Sequence, residues 1–262
     1  MNTKKMISGF SALMMTVTML ASCSAKAPEN TVHTIDDLNG KTIGVQIGTT
    51  GDTLAGDIEG ATVEKYNKYS DAVQALKQGK IDAVIIDSDT ANVFVSKNQD
   101  VTILTEGFAD EEYAIALNLE NGALLEDIND ALEDLKEDGT LKAIKDFYDS
   151  ENAGMNPYTS PADANRSKGK LVMATNAEFP PYEFREGDKI TGFDVDMMTA
   201  VCDKLGYELQ IDDMAFESVI PAVQSGKADV GVAGLSVTPD REKNVKFSDS
   251  YTVTHLVVMV RK

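Results

Sequence analysis

The chain has no tryptophan, only two cysteines and two histidines in 262 residues, and few positive charges: 24 Lys and Arg stand against 43 Asp and Glu, a formal net charge of −19. Each shortage removes a class of function. A surface this acidic repels nucleic acid phosphates and anionic lipid headgroups, so nucleic acid is not an expected partner. His33 and His255 lie far from each other and from any cysteine cluster, so no metal is expected. The glycine-bearing "GTTGDTLAG" (Gly48 to Gly56) lacks both the dinucleotide spacing and the Lys-Ser/Thr ending of a phosphate loop, so no nucleotide cofactor is expected. No nucleophile with an adjacent base is visible, which argues against an enzyme. What remains is an ordinary globular composition, 42% hydrophobic and 26% charged, long enough for two modest domains.

Residues 1–22 open on the basic "MNTKK", pass through a weakly apolar stretch and run into "LASC", Leu20 to Cys23. That pattern is a secretory signal. The small residues before Cys23 resemble the lipobox of bacterial lipoproteins, which implies cleavage there, lipidation of Cys23 and an extracytoplasmic protein held to the membrane by its lipid chains. Residues 23–33 then form a polar tether. Only Cys202 is left for the folded body, so no intramolecular disulfide is expected. Its neighbours Met197, Val201 and Leu205 recur at helical spacing, which makes it a small buried hydrophobe.

Two stretches repeat a helix, a Gly-Lys turn and a short buried strand: "DAVQALKQGKIDAVIID" (Asp71 to Asp87) and "ESVIPAVQSGKADVGVAG" (Glu217 to Gly234). Aligned on Gly79-Lys80 and Gly226-Lys227, they match Val73 with Ile220, Ala75 with Ala222, Leu76 with Val223 and Asp82 with Asp229. Each comes after a strand and loop, "KTIGVQIGTT" and "KLVMATNAEFPPYEF". Strand, helix, strand is a parallel crossover unit, so two copies predict two α/β lobes, with ligand bound where the strands' carboxyl ends face each other.

Between the repeats, Leu125, Ile128, Leu132 and Leu135 mark one amphipathic helix and Leu141, Ile144 and Phe147 a second, with Gly139 between them. Residues 150–169 are rich in Asn, Ser, Pro and Gly without periodicity and read as a flexible linker. The end of the sequence, "SYTVTHLVVMVRK", reads as a strand.

"KLVMATNAEFPPYEF", the run from "KITGFDVDMM" through "AGLSVTPDREK" to "VVMVRK", and "LNGKTIGVQIGTTGD" resemble the extracellular solute-binding proteins, family 3, which feed polar amino acids to ABC importers. The resemblance spans nearly everything from about Ile35 to Lys262 apart from the linker. It implies an α/β fold of two lobes, the type II periplasmic-binding-protein architecture, with the ligand cleft between them. The two blocks stand in swapped order, however, so the chain resembles a circular permutant. New termini are cut into one hinge, the family's continuation of the Lys262 strand stands near Ile35, and residues 150–169 join the old ends. On this pattern residues 34–114 are the second lobe, 115–149 the hinge return and helices packed on the first lobe, and 170–262 the first lobe. One covalent crossing would remain, near Tyr113 to Asn118, and opening would be wider or less directed.

An α-amino acid brings a carboxylate and an ammonium into a largely dry cleft, and each needs a charged or multiply hydrogen-bonded partner. The resemblance implies that Arg241 grips the carboxylate, helped by Ser236 and by backbone N–H groups at Thr49 and Thr50. It gives the ammonium to the Gly234 carbonyl and to Asp87 of the other lobe, and stacks Phe179 and Phe216 on the ligand. Taken singly, Arg241 reads as a surface charge, Asp87 as a helix cap and the two phenylalanines as core; their occurrence together is what points to a site. Asn176 stands where members preferring cationic amino acids carry an acid, so with Gln46 it suggests a neutral polar side chain, unless Glu178 points inward. Because Arg241 and Asp87 lie on different lobes, a bridging ligand would drive closure. The closed form, a monomer, would dock on the importer's membrane permease. A dehydratase on the same fold and a ligand-sensing module are the alternatives.

Overall fold

The computed structural model describes residues 27–149 and 157–262; Cys23, its signal pattern and residues 150–156 lie outside them. In chain order the strands are β1 (Thr42–Gln46), β2 (Thr62–Tyr66), β3 (Ala83–Asp87), β4 (Val101–Tyr113), β5 (Ala116–Leu117), β6 (Lys170–Thr175), β7 (Glu178–Phe179), β8 (Glu183–Glu186), β9 (Lys189–Thr191), β10 (Glu208–Asp213), β11 (Val230–Gly231), β12 (Lys246–Phe247) and β13 (Thr252–Arg261). The α-helices are α1 (Thr50–Ala55), α2 (Tyr69–Lys77), α3 (Ser88–Lys97), α4 (Gly122–Glu137), α5 (Thr140–Asp149), α6 (Phe193–Leu205), α7 (Val219–Gln224) and α8 (Pro239–Glu242). None of the described helices is long and apolar enough to cross a membrane.

The strands form two five-stranded sheets, β2-β1-β3-β13-β4 and β10-β6-β11-β5-β12, with a small β7-β8-β9 sheet beside the second. The order is the same in both: β1 corresponds to β6, β2 to β10, β3 to β11, β4 to β12 and β13 to β5. In each sheet the fourth strand is antiparallel to the third and comes from the other half of the chain. The α/β class, with two lobes and a cleft, is as expected.

The repeat explains why the lobes match. Gly79 and Gly226 both take φ 70°, a left-handed turn open to glycine at little cost. After them, the Lys80 N–H donates to Ala75 O at 3.0 Å and Lys227 N–H to Ala222 O at 2.9 Å. Asp82 N–H donates to Thr42 O at 2.8 Å while its carboxylate accepts from Thr42 N–H at 2.9 Å. Asp229 repeats this with Val172, at 2.9 and 2.7 Å. Each aspartate thus ties the start of its strand to the neighbouring parallel strand.

Packing follows the strand period. In β3, Ala83 and Ile85 join one core cluster with Ile43, Val45 and Val258, while Val84 and Ile86 join another with Val257 and Met259. The unbroken apolar run is a strand buried on both faces. Helix α4 buries Ile128, Leu132 and Leu135, and α5 buries Leu141 and Ile144. Cys202 is buried within α6, and burial pushes its thiol up to about 12, so it is inert packing.

Three expectations are corrected. First, β13 lies not in the first lobe with the rest of residues 170–262 but inside the second lobe's sheet, between β3 and β4. Its alternation fits a strand with two buried faces and cannot say which sheet receives it. Second, the lobes are joined by two crossings, not one. Tyr113–Ala116 and Ser248–Tyr251 run side by side, with Ser248 N–H donating to Ile115 O at 2.9 Å and Tyr251 N–H to Tyr113 O at 2.9 Å. Both hinge strands are continuous among the described residues, so no crossing is lost there to widen the opening. Third, the described part of the linker is pinned. Tyr158 donates through its N–H to Asp196 at 3.0 Å and through its hydroxyl to Asp203 at 2.9 Å, and Arg166 pairs with Asp203.

Candidate functional site

The loops at the carboxyl ends of β1, β3, β6 and β11 face each other across the two lobes, and the hinge strand β4 closes the floor. Eight of the nine ligand-binding residues expected from sequence line one space there: Thr49, Thr50, Asp87, Phe179, Phe216, Gly234, Ser236 and Arg241. Asn176 does not line it. Its side chain is buried behind Gln46, accepting from Gln46 Nε2 at 2.8 Å and donating to Met214 O at 2.8 Å, so Gln46 presents to the cleft in its place. The space is narrow because the lobes touch: it offers about 20 Å³ to the centre of a water-sized sphere, on the order of one water.

Asp87 ends β3 and caps α3. One carboxylate oxygen accepts from the Asp89 and Thr90 amides at 2.9 and 3.0 Å, the other from Thr254 Oγ1 at 2.6 Å. Asp87 is thus a helix cap that also lines the cleft. Burial pushes it up to about 6 against the pull of those donors, so its charge is held at a cost.

Arg241 enters from α8, beyond the Ser236–Thr238 turn. Its guanidinium donates to Ser236 O at 2.8 Å in its own lobe and to Gly48 O at 3.0 Å in the other, and lies 5.6 Å from the Phe216 ring centre. Phe179 stacks on Tyr182 at 5.5 Å and reaches Tyr69 of the other lobe at 6.0 Å. Its ring also explains Gly234, which has φ 54° and where a Cβ would lie 2.7 Å from Phe179 Cε1. Glu178 does not point inward: it pairs with Lys68 across the lobes at 2.5 Å.

Sequence reading missed Glu111 and Tyr113, at the end of β4. Both are buried, and both line the cleft. Glu111 accepts hydrogen bonds from Thr50 Oγ1 of its own lobe and from Ser236 Oγ of the other at 2.5 Å. The Tyr113 hydroxyl lies 3.2 Å from Asp87 and 3.3 Å from Glu111, with one proton to give. Among the described residues no group of three or more His, Cys, Asp or Glu could hold a metal ion.

Residues 171–262 match the family model described as bacterial extracellular solute-binding proteins, family 3. This stretch contains Phe179, Phe216, Gly234, Ser236 and Arg241, the expected residues that the first lobe contributes to the cleft. The match covers roughly a third of the chain. The arginine-binding extracellular protein ArtP of Bacillus subtilis (strain 168) is 43% identical over 101 residues, 38% of this chain and 40% of that one. The L-cystine-binding protein TcyJ of Escherichia coli (strain K12) is 35% identical over 135 residues, 51% of each. Among solved structures, the arginine-bound form of domain 1 from TmArgBP is 38% identical over 37% of this chain and 82% of that one, at a TM-score of 0.32, too low to bear on the fold. The chain thus spans about half or less of the length of these curated relatives.

Within the family 3 segment, a buried acid pair supports the cleft from below. Asp194 accepts from the Gly234 N–H and the Tyr251 hydroxyl, both at 3.0 Å, tying the cleft loop to a hinge strand. Glu183 is fully buried near it, and neither Glu183 oxygen has a hydrogen-bond partner among the described residues. Two acids buried near each other favour the protonated form, because burial and a neighbouring like charge both oppose ionisation. Burial pushes Asp194 up to about 6 and Glu183 well above the usual carboxylate range.

Proposed function

We propose that the protein is an extracytoplasmic substrate-binding lipoprotein that captures a polar amino acid between its lobes and delivers it to an ABC importer. One observation carries this: an arginine with a serine hydroxyl from one lobe and a buried aspartate from the other converge on a single space between aromatic walls. A zwitterion is the small molecule that satisfies both charges at once, and a ligand held by both lobes favours the closed form. In this reading Arg241, Ser236 and the Thr49 and Thr50 amides hold the carboxylate. Asp87 and the Gly234 carbonyl hold the ammonium, and Phe179 and Phe216 flank the ligand. Gln46, steadied by Asn176, meets a neutral polar side chain, and the pairing of Glu178 with Lys68 supports that choice by removing a free acid. The names of the relatives, binding proteins for arginine and cystine, support amino acids as the class.

The lipid anchor on Cys23, monomeric delivery to a permease and the circular permutation belong to the same proposal. The permutation is supported where the two ends of the blocks meet: Arg261 of β13 donates to Pro28 O at 3.1 Å. Calorimetric titration of the protein with the twenty L-amino acids tests the function. Micromolar binding of a few polar amino acids, lost in Arg241→Ala, is the expected result; no binding by folded protein would refute it.

A further inference from the structure

We infer that Glu111 is a built-in competitor for the ligand's carboxylate, occupying that subsite from the hinge and setting the affinity of the cleft. The inference rests on the amino acid reading above. Glu111 Oε1 takes the hydroxyl protons of Ser236 and Thr50, one from each lobe, and Ser236 is the hydroxyl assigned there to the ligand. The carboxylate is buried, on the rigid backbone of β4, so it has no solvent to turn to when those hydroxyls leave it. Arg241 completes the resemblance to a bound carboxylate: it lies close enough for the Glu111 charge to act on it, yet gives its own hydrogen bonds to Ser236 O and Gly48 O. A ligand carboxylate reaching Arg241 must therefore take the hydroxyls from Glu111 and sit beside a second negative charge in a site of low polarity, where like charges repel strongly. Tyr113, with one proton between Asp87 and Glu111, cannot compensate both acids.

The device also bears on closure. Because Glu111 holds Thr50 and Ser236 together, it joins the lobes through the same groups that a ligand carboxylate would use, so the touching arrangement does not depend on the ligand alone.

The test is calorimetry on the full chain with Glu111→Gln, which keeps the shape and an acceptor for both hydroxyls while removing the charge. Glu111→Ala serves as a second variant, and Glu112→Gln, a neighbouring exposed acid, as the charge control. The probes are the twenty L-amino acids and the carboxamide of the one bound best. The expected result is a gain of at least about tenfold in amino acid affinity for both Glu111 variants, none for Glu112→Gln, and none for the carboxamide, which has no carboxylate to compete. Unchanged or weaker amino acid binding by folded Glu111→Gln, with the wild type binding, would overturn the inference and make Glu111 a structural acid or an ammonium partner. A gain equal for acid and carboxamide would overturn it too, since no carboxylate contest would be involved. Silence from the wild type and all variants would overturn the amino acid reading, and this inference with it.

Discussion

The unit Asp71–Asp87 and the unit Glu217–Gly234 place the same hydrogen bonds around Gly79 and Gly226 and around Asp82 and Asp229, and then diverge at the carboxyl ends of their strands. In the second lobe β3 runs straight into Asp87, an acid capping α3. In the first, β11 is two residues long and gives way to a loop, Val232 to Ser236, that carries the turn toward Arg241. The repeated part is scaffold, held by backbone geometry that both copies need equally. The part that differs is the cleft, where one lobe supplies negative charge and the other positive.

That comparison can be broken most easily in the cleft. Arg241→Ala should lower amino acid affinity at least about 100-fold by calorimetry, since the only cation among the described residues lining the space is lost and a ligand carboxylate would be left in a dry site. Asp87→Asn should cost about tenfold, because the amide still accepts one hydrogen bond from an ammonium. Equal losses, or a larger loss at Asp87, would overturn the assignment of roles.

The glycines sharpen it within the scaffold. Gly79 and Gly226 share φ 70°, but a Cβ at Gly79 would lie 2.2 Å from Pro28 Cδ, while at Gly226 nothing lies within 4 Å. Gly226→Ala should cost about 1 kcal/mol, the backbone strain alone. Gly79→Ala should cost roughly 2–3 kcal/mol as the Pro28 segment is displaced. Urea melts of the two variants would read the difference; equal values would remove Pro28 from the account.

The buried acids set a pH dependence. Asp87 and Asp194 are raised to about 6 in the folded protein against an ordinary 3.8, and Glu183 is raised further from its ordinary value. Between about 4 and 6 the native state therefore holds protons that the unfolded chain has released, so stability falls as pH rises through that window. The net charge of −19 acts in the same direction. The melting temperature should be higher at pH 5 than at pH 7, by roughly 5 °C, and Asp194→Asn should flatten the slope. A rise in stability from pH 5 to 7 would contradict the burial of these groups.

The most symmetric effect concerns the paired aspartates. Asp82→Ala and Asp229→Ala should each cost about 1–2 kcal/mol, the loss of a carboxylate bond to a strand amide, and should agree closely with each other.

Much of this was legible in the residues. Helix faces follow apolar spacing, and the repeat announced two crossover units because Gly79 and Gly226, Asp82 and Asp229 do local work that any copy must do. The cleft loops carried local motifs in fixed order, which is why eight expected residues meet. Sheet membership of β13 was not legible, because an alternating apolar strand fits either sheet and long-range pairing leaves no local mark. Glu111 was hidden in "ADEEY", which reads as a solvated acidic run. Only strand alternation, with Glu111 and Tyr113 buried and Glu112 exposed, separates it from its neighbours. Asn176 was misplaced for a related reason: two amides that bond each other across the lobes cannot both face the cleft.

The central claim is that one molecule bridges the lobes through both of its α-groups. The measurement that bears on it most directly is a calorimetric comparison of the best-bound amino acid with two analogues, one lacking the α-amino group and one lacking the α-carboxylate. The account predicts that the complete amino acid binds at micromolar concentration and that each analogue loses at least about 100-fold. If either half-molecule bound as tightly as the whole, Arg241 and Asp87 would not be sharing one ligand, and the bridging account would be wrong.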